Sequence, residues 1–396
     1  MLTFILTVFF GIIFGIITGL IPGVHTNLIS VILIALSPPL LQYFSPLSLV
    51  IFIVSMSITN IFIEFIPSVF LGAPDEDTAL SIMPGHELLM EGKANTAIFL
   101  SSTGSLIGSI LLIALAPIMM IFLNSIYSFF VKMMFFFLVW ISIFMICTTS
   151  KKVLTTIFFL LSGFFGLGAL NIGISEPLLP LLTGLFGTSG IIYSIKEKTK
   201  IPKQEDYAEK PKIKDLFKPI VSGLLVSPIC SFLPGLGSSQ ATIVSSKIFK
   251  EITRKQFLIL NGIINALVMG LSFVALFTIQ KSRTGSANAI SKILTLTQND
   301  VILIISLITV VGIIDFFLSI YISRKVSKII NKINYQKLSY LILFFLVIIV
   351  IIISRLKGIL VLSIGTCLGL SAQYYGVKKG ILMGCLLIPT IIYYFP

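Results

Sequence analysis

The chain is an almost unbroken series of apolar runs, most of them near the length of about 20 residues that crosses a hydrocarbon layer about 30 Å thick. They fall at roughly 4–21, 27–44, 48–71, 96–122, 126–148, 152–170 and 177–194, and again at 219–233, 237–250, 256–279, 300–322, 338–354, 358–373 and 379–395. In lipid every backbone polar group has to be satisfied internally, which leaves helices or a closed barrel. The alternation of about ten residues that marks barrel strands is missing. We therefore expect an all-α polytopic membrane protein with about ten to fourteen transmembrane segments. Composition agrees: 56% of the 396 residues are hydrophobic, 11% are charged, and the mean hydropathy is +1.09.

Within that series one pattern occurs twice. GIIFGIITGLIPGVHTNLIS spans 11–30 and GLLVSPICSFLPGLGSSQAT spans 223–242. A constant offset of 212 aligns Gly11, Gly15 and Gly19 with Gly223, Ser227 and Ser231, and Pro22-Gly23 with Pro234-Gly235. This predicts two homologous membrane repeats, 1–194 and 219–396. The stretch between them, 195–218, has eight Lys against five acidic residues and no apolar run, and reads as a basic cytoplasmic linker.

The net charge of +13 could suggest a nucleic-acid partner, but Lys and Arg gather in short clusters between apolar runs, as positive-inside topology requires. No nucleic acid is expected. The basic loop 323–337 corresponds in order to the uncharged Asn124-Ser125, which suggests that the repeats are inverted. Lys151-Lys152 and the linker fit inversion, whereas Arg355 and Lys357 fit parallel repeats. The N-terminal run lacks a basic leader and a small-residue cleavage site, and reads as a first span. Cys147, Cys230, Cys367 and Cys385 show no CxxC or metal spacing and are expected as buried thiols.

Pro22 lacks an N–H and crowds the preceding turn, and Gly23 accepts positive φ, so each Pro-Gly is expected to break its helix. Secondary transporters build midplane sites from such broken helices. Thr26, Asn27 and Ser30 follow the first break, and Ser238, Ser239 and Thr242 the second, well placed to cap the half-helices. Two positive helix N-termini could then face an anion. An interfacial turn between two full helices is the alternative. The Gly/Ser ladders, with Ser101, Ser105 and Gly108, are expected to serve close helix packing.

In the third run Ser57, Asn60, Glu64 and Ser68 fall within about 80° of one helical face. A carboxylate in such a stripe is expensive in a membrane unless it faces a partner or a cavity. Glu64 is thus the candidate for proton or cation coupling, with interfacial exposure as the alternative. Asn261, Asn265 and Ser272 form the matching stripe in the second repeat. Asp315, the other carboxylate deep in an apolar run, is a second candidate for such a role, with a structural ion pair to Arg324 or Lys325, or an interface position, as the alternative. The polar stretches 72–97 and 280–289 read as loops or re-entrant turns. Asp75, Glu76, Asp77 and His86 lie in the first without EF-hand or HExxH spacing, and neither a metal nor a cofactor is expected. His25, directly after the first break, could titrate near neutral pH, with a satisfied structural hydrogen bond as the alternative. No P-loop or GxSxG occurs, so neither ATP-driven transport nor an enzyme is indicated.

At these residues the sequence resembles the TctA family, the large membrane subunits of tripartite tricarboxylate transporters. The likeness rests on Gly11, Gly15, Gly19, Pro22 and Gly23, on Pro234, Gly235 and Gly237, and on Gly85, Met90, Gly92, Lys93 and Ala94 in the loop between. Val24-His25-Thr26-Asn27 after the first break and Lys281 and Arg283 in the second loop depart from the family pattern and place the chain with divergent, stand-alone archaeal-type members. The resemblance implies a secondary-active permease for an organic anion such as a di- or tricarboxylate, coupled to Na⁺ or H⁺. It also implies a small membrane subunit and an extracytoplasmic binding protein as partners. The candidate substrate residues are Pro22, Gly23, His25, Thr26, Asn27, Asn60, Pro234, Gly235, Gly237, Ser238, Ser239, Asn261 and Asn265, with Glu64 for ion coupling. A polyprenyl-phosphate translocase is the alternative, since broken repeats of this kind suit a phosphate equally well.

Overall fold

The computed structural model describes residues 2–21, 33–34, 37–71, 82–147, 149–174, 177–196, 202–232, 238, 241–242, 245–246, 252–282, 284–330 and 335–396. All regular structure among them is helical. Helix α1 (Leu2–Leu20) is followed by α2 (Pro46–Ile63), α3 (Phe65–Leu71), α4 (Ile82–Met90), α5 (Ala94–Cys147) and α6 (Lys152–Asn171). Next come α7 (Leu178–Leu182), a π-helical turn (Thr183–Thr188), α8 (Ser189–Lys196) and α9 (Ile213–Phe232). The rest comprises α10 (Arg254–Ile279), α11 (Gly285–Ile293), α12 (Gln298–Ile330), α13 (Tyr335–Tyr374), a 3₁₀ turn (Lys379–Met383) and α14 (Gly384–Tyr393). Among the described residues seven helices are long and apolar enough to span a membrane, and three shorter apolar helices accompany them.

Two helices form the centre. The spans of α2 and α10 are 94% and 83% buried, against 28–39% for the other five, whose outer faces carry residues such as Phe9, Phe122, Phe317 and Phe344 toward lipid. Small residues create this centre. Gly11, Gly15 and Gly19 line the face of α1 against α2, and a Cβ added at Gly15 would lie 2.5 Å from Thr59 Cβ and 2.7 Å from Met56 O. Gly104, Gly108 and Gly262 bring the backbones of α5 and α10 together in the same way, with Ser101 and Ser105 buried beside them. Without hydrophobic force between helices in lipid, such close approach supplies the van der Waals contact that holds them. Outside this core α13 packs on the α7–π–α8 segment and α14 on α6, again through glycines, Gly184 and Gly365 among them.

Several expectations require correction. The loop expected at Asn124-Ser125 is absent, because α5 continues through it as a 54-residue helix. Asn and Ser are only mild helix breakers, and no Gly or Pro stands there to end the turn. The basic stretch 323–337, expected as a loop, is mostly helical too, because α12 runs on to Ile330 and α13 starts at Tyr335, so comparing it with Asn124-Ser125 no longer argues for inversion. Residues 72–97 and 280–289 are not wholly loop: α4 occupies 82–90, α5 begins at Ala94, and Thr284 N-caps α11, whose Ser286, Ala287, Ala289 and Ile290 are fully buried. Cys147 and Cys367 are exposed, since they lie on outward helix faces where a thiol is tolerated as a small apolar group; Cys230 and Cys385 are buried.

The stretch between the two sequence copies is also more than a tether. Residues 202–211 lie as a strap across the start of α5. The Gln204 amide accepts from Ala94 N–H at 3.0 Å and donates to Leu89 O at 2.9 Å, while Glu205 N–H donates to Gly92 O at 2.8 Å. Asn95 Nδ2 donates to Glu205 O at 2.7 Å, and Glu209 bridges Lys93 (2.6 Å) and Lys255. The two lysines hold the Glu209 carboxyl down at about 2. Gly92 sits at φ +80°, where glycine is favoured, and turns α4 into α5.

Candidate functional site

Glu64 stands where α2 gives way to α3. Pro67 has no N–H for the Ile63 carbonyl, so the helix loosens at Glu64, which takes φ −61°, ψ −21° between the two segments. The carboxyl is not at an interface: Glu64 is only 4% exposed. One oxygen, Oε1, accepts from Asn265 Nδ2 on α10 at 2.5 Å. The other, Oε2, accepts from Asn60 Nδ2 at 3.2 Å in the amide orientation that satisfies both ends of Asn60.

The two asparagines connect Glu64 to both copies of the duplicated motif. Asn60 Oδ1 accepts from Gly19 N–H at 3.1 Å and from the Thr18 hydroxyl at 3.2 Å, at the end of α1 just before Pro22. Asn265 Oδ1 accepts from the Ser238 hydroxyl at 3.2 Å, just after Pro234-Gly235. One turn earlier on α10, Asn261 Oδ1 lies 2.7 Å from the Thr242 hydroxyl. A continuous chain thus runs Thr18/Gly19–Asn60–Glu64–Asn265–Ser238, joining residues 220 positions apart in sequence, and all its members are buried. In a low-dielectric interior each of these polar groups would be costly to leave without a partner.

The other stripe members go elsewhere. Ser57 reaches Ser286 at the start of α11 at 2.6 Å, and Ser272 reaches Thr284 at 3.1 Å, so the polar face of α2 divides between the central chain and α11. Pro22, Gly23, His25, Thr26, Asn27, Ser30, Pro234, Gly235, Gly237 and Ser239 lie outside the described residues, as do Asp75, Glu76 and Asp77. His86 is half-buried on α4, and burial, with Lys379 nearby, lowers its pKa. Among the described residues no cluster of three His, Cys, Asp or Glu converges as a metal site would.

Sequence reasoning missed Thr18, Gly19 and Pro67 as parts of this arrangement. Pro67 was the readable signal, three residues beyond a membrane carboxylate. Thr18 carried none, because its role depends on which helix the glycine ladder meets.

The chain has relatives. The model of the tripartite tricarboxylate transporter TctA family matches residues 5–384. The chain is 31% identical over 375 residues to an uncharacterized protein of Methanocaldococcus jannaschii, covering 91% of this chain and 92% of that one. No solved structure matches. The glycine ladder against α2, the apolar spans and the match over nearly the whole chain agree, and this multi-pass protein of the cell membrane belongs to the tripartite tricarboxylate transporter TctA family.

Proposed function

We propose that the protein is a secondary-active permease that carries an organic anion, a di- or tricarboxylate, with Na⁺ or H⁺ through a site where Pro22-Gly23 and Pro234-Gly235 meet. The observation behind this reading is the buried chain that links residues flanking both motifs to one carboxylate. The substrate's carboxylates take the N-termini after the two breaks, with His25, Thr26, Asn27, Gly237, Ser238 and Ser239 as local donors. Glu64 takes the coupling cation. Cation binding cancels its charge, changes what Asn60 and Asn265 donate to, and so shifts Thr18 and Ser238 beside the two breaks. Family membership supports transport as opposed to catalysis, and supports a small membrane subunit and an extracytoplasmic binding protein as partners; co-purification with the products of neighbouring genes tests that part.

The test of transport is uptake of a labelled carboxylate panel into proteoliposomes under Na⁺ or pH gradients. Glu64→Gln is expected to lose gradient-driven accumulation while keeping substrate counterflow. Changing Pro22-Gly23 or Pro234-Gly235 to Ala-Ala is expected to abolish both with insertion intact. A panel without gradient-dependent flux refutes the reading, and redistribution of polyprenyl phosphate between leaflets on depletion of the protein would replace it with lipid-carrier translocation.

A further inference from the structure

A second carboxyl lies in the membrane core, and the site around Glu64 does not use it. Asp315, midway along α12, is fully buried. Its Oδ1 accepts from the Thr59 hydroxyl of α2 at 3.0 Å, and its Oδ2 has no hydrogen-bond partner among the described residues. The ion pair that the sequence offered as an alternative does not form. Arg324 and Lys325 are exposed, and Lys325 lies over the Tyr321 ring at 5.4 Å.

The helices packed on α12 are α2, α3, α5 and α10. From α2, Thr59 faces Asp315; Glu64, five residues on, points about 140° away. Helix α3 has no titratable residue. From α5 the nearest polar neighbours are Ser109, against Gly312, and Ser102, whose hydroxyl is 2.8 Å from that of Ser319. Tyr127, Lys132 and Cys147 of α5 lie roughly 27 Å or more along the helix beyond Ser109. The charged residues of α10, Arg254 and Lys255, are engaged with Glu87, Glu91 and Glu209. No charge among these groups offsets an ionised Asp315.

A polar track leads away from it. Asp315, Ser319, Ser323 and Ser327 recur every fourth residue on the buried face of α12. Ser319 meets Ser102, and Ser323 donates to Asn95 Oδ1 at 2.7 Å. Asn95 in turn donates to Glu205 O of the strap, beside the part-exposed Lys93–Glu209–Lys255 cluster. Successive stations are about one helical turn, 5.4 Å, apart, a gap that one bridging water spans.

We propose that Asp315 is a proton-binding site distinct from Glu64, loaded through the track Asn95–Ser323–Ser102/Ser319 from the face that carries the strap. The proton, delivered by hydronium, adds to Oδ2; Oδ1 keeps the Thr59 hydroxyl. Its effect reaches the central chain through α2, where Thr59 adjoins Asn60. Only that last link rests on the transport reading; proton binding itself does not.

Infrared difference spectroscopy of the purified protein between low and high pH tests it without any substrate. The wild type is expected to show a protonated-carboxyl C=O band that Asp315→Asn loses and Glu64→Gln keeps. Ser323→Val, which leaves the carboxyl in place, is expected to slow hydrogen–deuterium exchange of that band severalfold, and serves if Asp315→Asn fails to fold. A spectrum that Asp315→Asn leaves unchanged, or a band whose exchange Ser323→Val does not alter, overturns the proposal. In proteoliposomes Asp315→Asn should keep counterflow and lose accumulation driven by a pH gradient. Absence of any flux in the wild type would refute the transport reading and leave the infrared result standing.

Discussion

Asn265→Ala probes the central chain most directly. It removes the amide that donates to Glu64 Oε1 at 2.5 Å and the oxygen that accepts from Ser238. In water-soluble proteins a hydrogen bond to a charged group is worth about 1.5–3 kcal/mol. Membrane interiors give less, about 0.6 kcal/mol on average and about 1.7 at most, because the inserted unfolded chain finds other partners. Glu64 has a second donor in Asn60, which softens the loss further. We therefore expect a coupling energy of about 1 kcal/mol between Asn265→Ala and Glu64→Gln in a double-mutant cycle, lower than for a soluble charged pair. The assay is reversible unfolding of the protein in mixed micelles or bicelles, with helix content as the readout. Additivity within about 0.3 kcal/mol, the usual scatter for independent sites, would mean that the two side chains do not cooperate and would remove the chain as the unit that links the two motifs.

Other outcomes follow from particular contacts. Gly15→Ala sets a methyl against Thr59 Cβ at 2.5 Å and backbone at 2.7 Å, and should destabilise by about 1–3 kcal/mol, whereas Gly168→Ala, with nothing within 4 Å, should be neutral or stabilising in the same unfolding assay. Arg355 interrupts α13 at φ 55°, ψ −157°, a region close to glycine-only, so Arg355→Gly should raise stability by about 1 kcal/mol or more. The Glu209 carboxyl lies at about 2 in the folded protein, below its unfolded value of about 4.3, so its contribution is present above the unfolded value and is lost as pH falls toward 2. Amide protection in 202–211, corrected for the intrinsic exchange rate, should accordingly fall at pH about 3 relative to pH 7, and Glu209→Gln should lower it already at neutral pH; equal protection in both would show that Gln204 and Glu205 alone hold the strap.

Much of this molecule was legible from its residues, for a reason specific to its solvent. Lipid allows a backbone few options, so among the described residues apolar runs coincide with helices, and the break between 338–354 and 358–373 appears as the interruption at Arg355; the runs 27–44 and 237–250 lie largely outside the described residues. The glycine ladder foretold a close helix contact, and the period of 3.6 placed Asn60 and Glu64 on one face. Polarity alone is not a stop: Asn124-Ser125 carries polar groups but no backbone reason to end a helix, and within 280–289 Thr284 and Ser286 bond to Ser272 and Ser57 inside the bundle.

What sequence could not decide is who meets whom. Periodicity fixes a residue's face but not the neighbour that face receives, and the neighbour follows from how glycine ladders, prolines and side-chain volumes let helices approach. Hence the spans, their polar stripes and the duplicated motif belong to the sequence alone. That Asn265 on α10 should donate to Glu64 at the end of α2, that residues 202–211 should clasp the start of α5, and that Asp315 should face Thr59 and not Arg324 were decided by tertiary packing, because a buried polar group takes whichever partner the close-packed backbones bring within about 3 Å.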